Sequence, residues 1–309
     1  MNGTLYEQLR WRTHHLPSHA ANGTTTLYIG DVGETGDRAT LVAGVHGDEG
    51  PWGALALRQL LQRPAHVLNG RLRVVLAANP LALEADARNA PLDHLDLNRC
   101  FPGDAGGSHT EVLAATLTAE LGDSALVIDL HGGGSWCVNA FAFRFEGSEA
   151  FAAELGAPFI VDAPEKDGTL TQCAKAQGAQ VLAVEMGGKS RDEVSWQNRI
   201  ADGVLRVLSR ADIFEVEEAL KPAPVSIPVG SLEVLRPKTG GLFVPKLREE
   251  AVGTVVAQGT ELGRLLHPHT LAPLETLTAP YPHTALLLLR PHTCVLEGGA
   301  MTYVVAEPR

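Results

Sequence analysis

Up to about residue 215 the chain alternates short β-branched runs with longer amphipathic stretches, and this alternation restricts its fold more than any other feature. The runs Thr25–Ile29, Ala39–Val45, Leu72–Ala77, Ala125–Leu130, Phe159–Val161 and Gln180–Glu185 have the length and residue types of strands. Between them, Gly50–Leu61, Thr110–Leu121, Glu149–Leu155 and Val194–Leu208 read as helices. Ser108 and Glu111 have capping-box spacing at the start of the second helix. Strands that alternate with helices make βαβ units. The expected fold is therefore α/β, a mixed and mostly parallel sheet flanked by helices.

Beyond the proline-bearing stretch Leu220-Lys221-Pro222-Ala223-Pro224 the helical period stops. Short apolar runs follow, Leu232–Leu235, Leu242–Val244, Gly253–Val256, Leu262–Leu266, Ala285–Leu289 and Met301–Val305, separated by Gly and Pro turns. That pattern predicts a smaller all-β barrel or sandwich. The expected division is a catalytic domain over 1–220 and a β-domain over 221–309.

Charge and composition exclude several function classes. The 25 basic and 36 acidic residues leave a net charge of −11, and no run of five Lys/Arg exists to coat a polyanion, so no nucleic-acid partner is expected. The longest apolar runs fall short of the ~18 residues needed to cross a bilayer, and Met1–Ala21 lacks the apolar core of a leader. Four dispersed cysteines, Cys100, Cys137, Cys173 and Cys294, form no CxxC pair. They fit neither a thiolate zinc ribbon nor a disulfide scaffold, and point to a reduced, cytoplasmic compartment.

Three of the expected strands end alike. Leu41–Val45 runs into His46-Gly47-Asp48-Glu49-Gly50, Ala125–Leu130 into His131-Gly132-Gly133-Gly134, and Val181–Val184 into Glu185-Met186-Gly187-Gly188. Each run delivers an ionisable residue, and glycine follows within two positions. In an open α/β sheet the carboxyl ends of the strands line one crevice, and glycine there permits close backbone approach. His46, Glu49, His131 and Glu185 are thus expected to converge across up to 139 positions of sequence.

Two imidazoles and one carboxylate with an open fourth position make a catalytic zinc site. His46 and Glu49 are three apart, so one turn can point both at one ion. One zinc ion per chain, held by His46, Glu49 and His131, would polarise a carbonyl and acidify a water, with Glu185 as general base. Taken singly, each histidine could instead end its strand and hydrogen-bond locally. Asp129 is expected to point to the face opposite His131 and either to be structural or to support a ligand rather than bind the ion itself, and Asp48 to serve the turn.

The polar loop from Arg88 to Gly103 adds Arg88, Asn98 and Arg99 where no regular element requires them. An arginine fork binds a carboxylate or stabilises an oxyanion. In their order, the HGDEG, DLNRCFPG, DLHGGG and VEMGG segments make the chain resemble the succinylglutamate desuccinylase/aspartoacylase family of zinc carboxypeptidase-like hydrolases. The resemblance is close over residues 39–190, and a C-terminal β-domain fits it too. It implies His46, Glu49 and His131 as zinc ligands, Glu185 as the catalytic glutamate, and Asn98 and Arg99 as the pair binding the substrate carboxylate. It further implies that Arg88 polarises the scissile carbonyl. Arg88 precedes Asn98 by ten residues, more than in the aspartoacylase branch. The RNAP-x-D-x-x-DLNR form is more similar to the branch with diaminobutyrate-derivative deacetylases.

Other patterns point to structure. Gly30, Gly33 and Gly36 mark turns, and Gly188-Lys189-Ser190 lacks the first glycine of a phosphate loop. His267, His269, His283 and His292 read as surface histidines, and Trp52, Trp136 and Trp196 as core or pocket wall. The β-domain has the turn spacing of a lipoyl-type barrel without a carrier lysine hairpin. The expected activity is zinc-dependent removal of an acyl group from an N-acyl amino acid, a small-molecule partner. A carboxypeptidase acting on short peptides and a non-catalytic binding protein on the same fold remain as alternatives.

Overall fold

The computed structural model describes residues 4–17, 23–63, 67–189, 191–215 and 220–309. Parts of the Met1–Ala21 stretch, and Ser190 of the Gly188-Lys189-Ser190 triplet, lie outside them. The strands that build the main sheet are β1 (Arg10–Pro17), β2 (Thr24–Val32), β3 (Arg38–Ala43), β4 (Arg71–Val75), β5 (Leu126–His131), β6 (Val138–Arg144), β7 (Phe159–Asp162) and β8 (Gln180–Gly188). From the C-terminal part, β9 (Glu233–Leu235), β10 (His283–Leu289) and β11 (Tyr303–Ala306) join the same sheet. Its order is β1-β2-β4-β3-β5-β8-β6-β10-β11-β9.

The central strands β4, β3, β5 and β8 are parallel neighbours, as the βαβ reading requires. β1 and β2 run antiparallel to their partners, and β6 is antiparallel to β8 but parallel to β7, which pairs with it off this path, so the sheet is mixed. At Leu288↔Asn139 and Leu289↔Val138, β10 pairs with β6. The C-terminal strands therefore extend the main sheet across the expected boundary, while a further four strands, including Gly241–Pro245 and Glu261–Leu266, form a separate sheet beside it.

Helix α1 (Gly50–Leu61) begins with Pro51 in its first turn, where a missing N–H costs nothing. It buries Trp52, Gly53, Ala56, Leu57, Leu60 and Leu61, a stripe at three- and four-residue spacing. Helix α4 (Glu193–Arg210), which follows α2 (His109–Leu121) and α3 (Leu170–Ala176), packs beside α1, and Gln59 Nε2 donates to Gln197 Oε1 at 3.0 Å. The Ser108/Glu111 capping box at the start of α2 is present. No described helix is long and apolar enough to cross a membrane.

The two sheet faces bury different residues of the same strands. Leu41, Leu126, Ile128, Leu130, Leu182 and Val184 pack with α1 and α4. Val42, Val127 and Val181 point the other way, against Leu113 and Leu117 of α2 and Leu170 of α3. Side chains alternate along a strand, so Asp129 and His131 fall on the Val127 face, and Ala183 and Glu185 on the Val181 face. The apolar stack on that face thus ends in ionisable groups at the carboxyl ends of β5 and β8.

Candidate metal centre and active site

Register brings two of the four expected residues side by side, because His131 of β5 is paired with Glu185 of β8. One step back, Asp129 is opposite Ala183, whose small side chain leaves room for the carboxylate. His46 and Glu49 arrive from the turn that follows β3 and opens α1. That turn fits only because Gly47 has no side chain, since a Cβ there would lie 2.0 Å from the Ala82 carbonyl carbon. Gly133 plays the same part after β5, where a Cβ would meet the Cys137 oxygen at 2.0 Å. The glycines after the strand ends thus admit neighbouring backbone.

The three expected ligands meet. His46 Nδ1 and His131 Nδ1 lie 3.1 Å and 2.9 Å from one oxygen, Glu49 Oε2. One ligand atom from each of the three residues lies within 4.8 Å of the other two. All three residues are buried. Glu49 stands at the N-cap of α1 but makes no capping hydrogen bond with its side chain, leaving its carboxylate to the histidines. The positive end of the helix favours that charge.

Two further carboxylates hold the far sides of the rings. His46 Nε2 donates to Asp96 Oδ1 at 3.0 Å, and His131 Nε2 to Asp129 Oδ2 at 2.9 Å. Each imidazole thereby has its Nδ1 turned towards Glu49 and its Nε2–H fixed by an acid, the arrangement in which carboxylate–histidine pairs orient metal ligands. His46 Nδ1 is buried and makes no hydrogen bond. A buried polar atom without a well-formed hydrogen bond costs free energy, and a divalent cation among the three residues would remove that cost. The residues fit a metal of the zinc type: two nitrogens, one carboxylate oxygen and a side left open to the cavity.

Electrostatics agree with a cation site. Burial alone would raise the Glu49 pKa, yet His46 and His131 hold it far below the usual carboxylate range. Burial works against charge on His46, and Glu49 and Asp96 overcome it, raising the imidazole pKa. Burial likewise opposes charge on His131, where Asp129 and Glu49 win. Asp96 is held well below its ordinary value by His46 and Arg88 against the effect of burial. At both imidazoles the surrounding carboxylates outweigh burial, a negative environment that a metal ion would share.

Glu185 behaves differently. Burial pushes its pKa up; His131 opposes this, Glu49 adds to it, and a hydrogen bond from Asn139 opposes it, leaving the carboxyl at about 7. Asn139 Nδ2 donates to Glu185 Oε2 at 2.8 Å. A carboxyl poised near neutrality beside a cation site suits proton transfer at ordinary pH.

The polar loop forms the rim. Arg88 Nη1 reaches Glu49 Oε1 at 3.1 Å, and Nη2 reaches Asp96 Oδ2 at 3.0 Å. Its side chain is 46% exposed, so one edge of the fork faces solvent. Asn98 Oδ1 accepts from Leu170 N at 2.9 Å at the start of α3, and Asn98 Nδ2 is 3.5 Å from His131 Nε2. The Arg99 Nη1 bonds the Asn98 carbonyl oxygen, and its side chain is exposed. All seven expected residues line one cavity of about 210 Å³. A larger cavity of about 610 Å³, lined by Tyr6, Trp11 and Tyr28 among others, contains none of them.

One expectation needs correction. Asp129 does not face away from His131; residues two apart on a strand share a face, and the two side chains are bonded. Asp96 and Asn139 belong to the site although neither was singled out in the sequence. Asp96 lies within the DLNR segment, two residues before Asn98, which is the signal that marks it. Asn139 lies on β6, a strand the periodicity did not reveal, and has no motif of its own.

Comparisons with known proteins agree with this geometry. The profile of the succinylglutamate desuccinylase/aspartoacylase catalytic domain matches residues 35–211. An N-alpha-acetyl-L-2,4-diaminobutyric acid deacetylase of Halomonas elongata is 31% identical over 250 residues, 74% of this chain and 70% of that protein. A succinylglutamate desuccinylase/aspartoacylase structure from Rhodobacter sphaeroides is similar at a TM-score of 0.83 and 25% identity, covering 97% of this chain and 96% of its own. A product-bound structure of the ectoine utilization protein EutE (DoeB) from Ruegeria pomeroyi is similar at a TM-score of 0.81 and 25% identity, covering 96% and 94%. The matched region holds the His46–Glu49–His131 cluster, Glu185 and the whole polar loop, and the chain belongs to the succinylglutamate desuccinylase/aspartoacylase family.

Proposed function

We propose that this protein is a zinc-dependent amidohydrolase that removes the acyl group from an N-acylated amino acid. The observation that carries the reading is the convergence of His46 Nδ1, His131 Nδ1 and Glu49 Oε2, with each Nε2 tied to an aspartate. The deacetylase of Halomonas elongata, which acts on an N-acetylated amino acid, supports the reaction class.

The bound ion would supply Lewis acidity, polarising the scissile carbonyl and lowering the pKa of a water. The remaining roles fall to side chains of this chain. Glu185, on the β8 edge of the cavity, takes the proton from the attacking water and returns it to the leaving nitrogen. Asn139 holds Glu185 Oε2 and leaves Oε1 for that exchange. Arg99 and Asn98, at the rim, bind the substrate carboxylate. Arg88, with one edge of its fork on Glu49 and Asp96, offers the other to the carbonyl oxygen. We assign all of this chemistry to residues 1–220 and none to 221–309. We also place the enzyme in the cytoplasm, with a small molecule as its partner and neither nucleic acid nor membrane.

The test is a panel of N-acetyl and N-succinyl amino acids and short peptides, assayed with the zinc-loaded protein. Hydrolysis of N-acyl amino acids above peptides is expected. Cleavage of peptides alone would make the protein a carboxypeptidase, and no hydrolysis of any compound would leave a binding protein.

A further inference from the structure

A second gathering of charge lies at the opposite end of the strands from His46. Arg38 opens β3 and Arg71 opens β4, and the two are register partners on adjacent parallel strands. Arg73, two residues further on, is paired with Asp31 of β2, which is in turn opposite Arg10 of β1. The sheet thereby brings Arg10, Arg38, Arg71 and Arg73 to one cavity of about 360 Å³. Among the described residues the acids that line it are Asp31 and Glu34. In a chain of net charge −11, four cations around one cavity run against the composition.

These cations are unequally committed. Arg73 Nε lies 2.7 Å from Asp31 Oδ1, and its Nη1 lies 2.8 Å from Glu120 Oε2 near the end of α2. Arg12, outside the cavity lining, is held by the same two acids. Arg10 Nη1 lies 3.1 Å from Glu34 Oε1, and its Nη2 donates to Gly33 O at 3.4 Å. Arg38 and Arg71 remain. Among the described residues both pair with a single acid, Asp123, taking one oxygen each. Asp123 does not line the cavity, and its side chain is 54% exposed against 14% for Arg38. The arginines at positions 10, 12, 38, 71 and 73 thus outnumber Asp31, Glu34, Glu120 and Asp123 by one, and the surplus falls on Arg38 and Arg71. Burial and the neighbouring Arg73 and Arg71 hold the Arg38 pKa below its ordinary value. Burying charge that is not fully paired is costly, and a guanidinium fork is best matched by a carboxylate or a phosphate.

We propose that this cavity binds a small polyvalent anion, a phosphate or a polycarboxylate, between Arg38 and Arg71. The anion completes the neutralisation that a shared, half-exposed Asp123 leaves unfinished, and Asp123 competes with it for both forks. The site is separate from the catalytic cavity, since no residue lines both. It does not depend on the deacylase reading.

The test measures binding of inorganic phosphate and of tricarballylate to the zinc-loaded protein by calorimetry, against chloride at equal ionic strength. Saturable binding is expected, of phosphate alone if the ligand is a phosphate compound and of tricarballylate alone if it is a polycarboxylate. Arg71→Met should weaken it about tenfold, the loss of a hydrogen-bonded charge. Asp123→Asn should tighten it about threefold, because an exposed ion pair is a weak competitor. The binding that Arg71→Met removes should persist in Arg99→Ala, which separates it from the catalytic rim. Thermal melting gives a second readout, in which Asp123→Asn loses stability in chloride and regains it in the anion that binds. If Arg71→Met does not fold, Asp123→Asn, changed at a half-exposed side chain, decides the question alone. Binding of neither anion, weaker binding in Asp123→Asn, or binding lost in Arg99→Ala and untouched in Arg71→Met overturns the proposal and leaves an ion-pair network that serves stability only.

Discussion

Asp129 Oδ2 lies 2.9 Å from His131 Nε2, two residues along the same strand and on the same sheet face, so one strand supplies both an imidazole and the acid that orients it. Asp129 is 1% exposed and His131 7%. The same pairing occurs between Asp96 and His46 through a loop. Such acids fix the ring orientation and raise ligand basicity, and their loss typically costs about 10–100-fold in metal affinity. Asp129→Asn should weaken zinc binding by that factor, measured by competition with a chelator. Unchanged affinity would reduce Asp129 to a structural role.

Asn139 should set the pH profile through Glu185. Its amide donates to the carboxylate and so favours the charged form. The base works only when ionised, and its carboxyl stands at about 7 without a metal; a bound cation favours the carboxylate and moves that value down. The acid limb of kcat/KM is therefore expected at or below pH 7. Asn139→Ala removes a stabiliser of the charged form, so the Glu185 pKa rises and the limb moves to higher pH. The loss of rate should be larger at pH 6 than at pH 8.5. A pH-independent loss would mean that Asn139 only fills space.

Glu185→Gln keeps the shape of the side chain and removes the proton acceptor. General-base catalysis contributes about 10²–10⁴-fold, and kcat should fall by at least the lower figure while zinc stays bound. A variant that kept both its zinc and a near-normal kcat would show that another group takes the proton.

Arg99 is exposed, apart from its bond to the Asn98 carbonyl, and the chain as a whole carries −11. Binding an anion therefore depends on local cations. In Arg99→Ala the KM for an N-acyl amino acid should rise at least about tenfold more than for its amide, since only the acid gives the fork a partner. Equal losses would remove Arg99 from the carboxylate site.

Much of this site is legible in the sequence because its chemistry sits at strand ends. β3, β5 and β8 are largely buried on both faces and parallel, so their residues read as mainly apolar runs, and a charged residue with glycine close behind it stands out at their ends. The loop residues Arg88, Asn98 and Arg99 were legible through motif alone. Asn139 was not, because β6 follows a glycine-rich turn and pairs antiparallel with β8 across 38 to 50 positions, which no local period encodes. The face of Asp129 was readable from strand parity, yet the expectation placed it on the wrong side. The pairing of β10 with β6 joins residues about 150 positions apart, so the run Ala285–Leu289 shows a strand and not its neighbour. Helix α3 was missed for its length, at seven residues too short for a clear period.

The central claim is that His46, Glu49 and His131 hold one ion. Diffraction from zinc-loaded crystals at the zinc absorption edge tests it most directly. The account predicts a single anomalous peak per chain within bonding distance of His46 Nδ1, His131 Nδ1 and a Glu49 carboxylate oxygen, and its loss in His131→Ala crystals. A peak bound elsewhere, or an undiminished peak in His131→Ala, would contradict it.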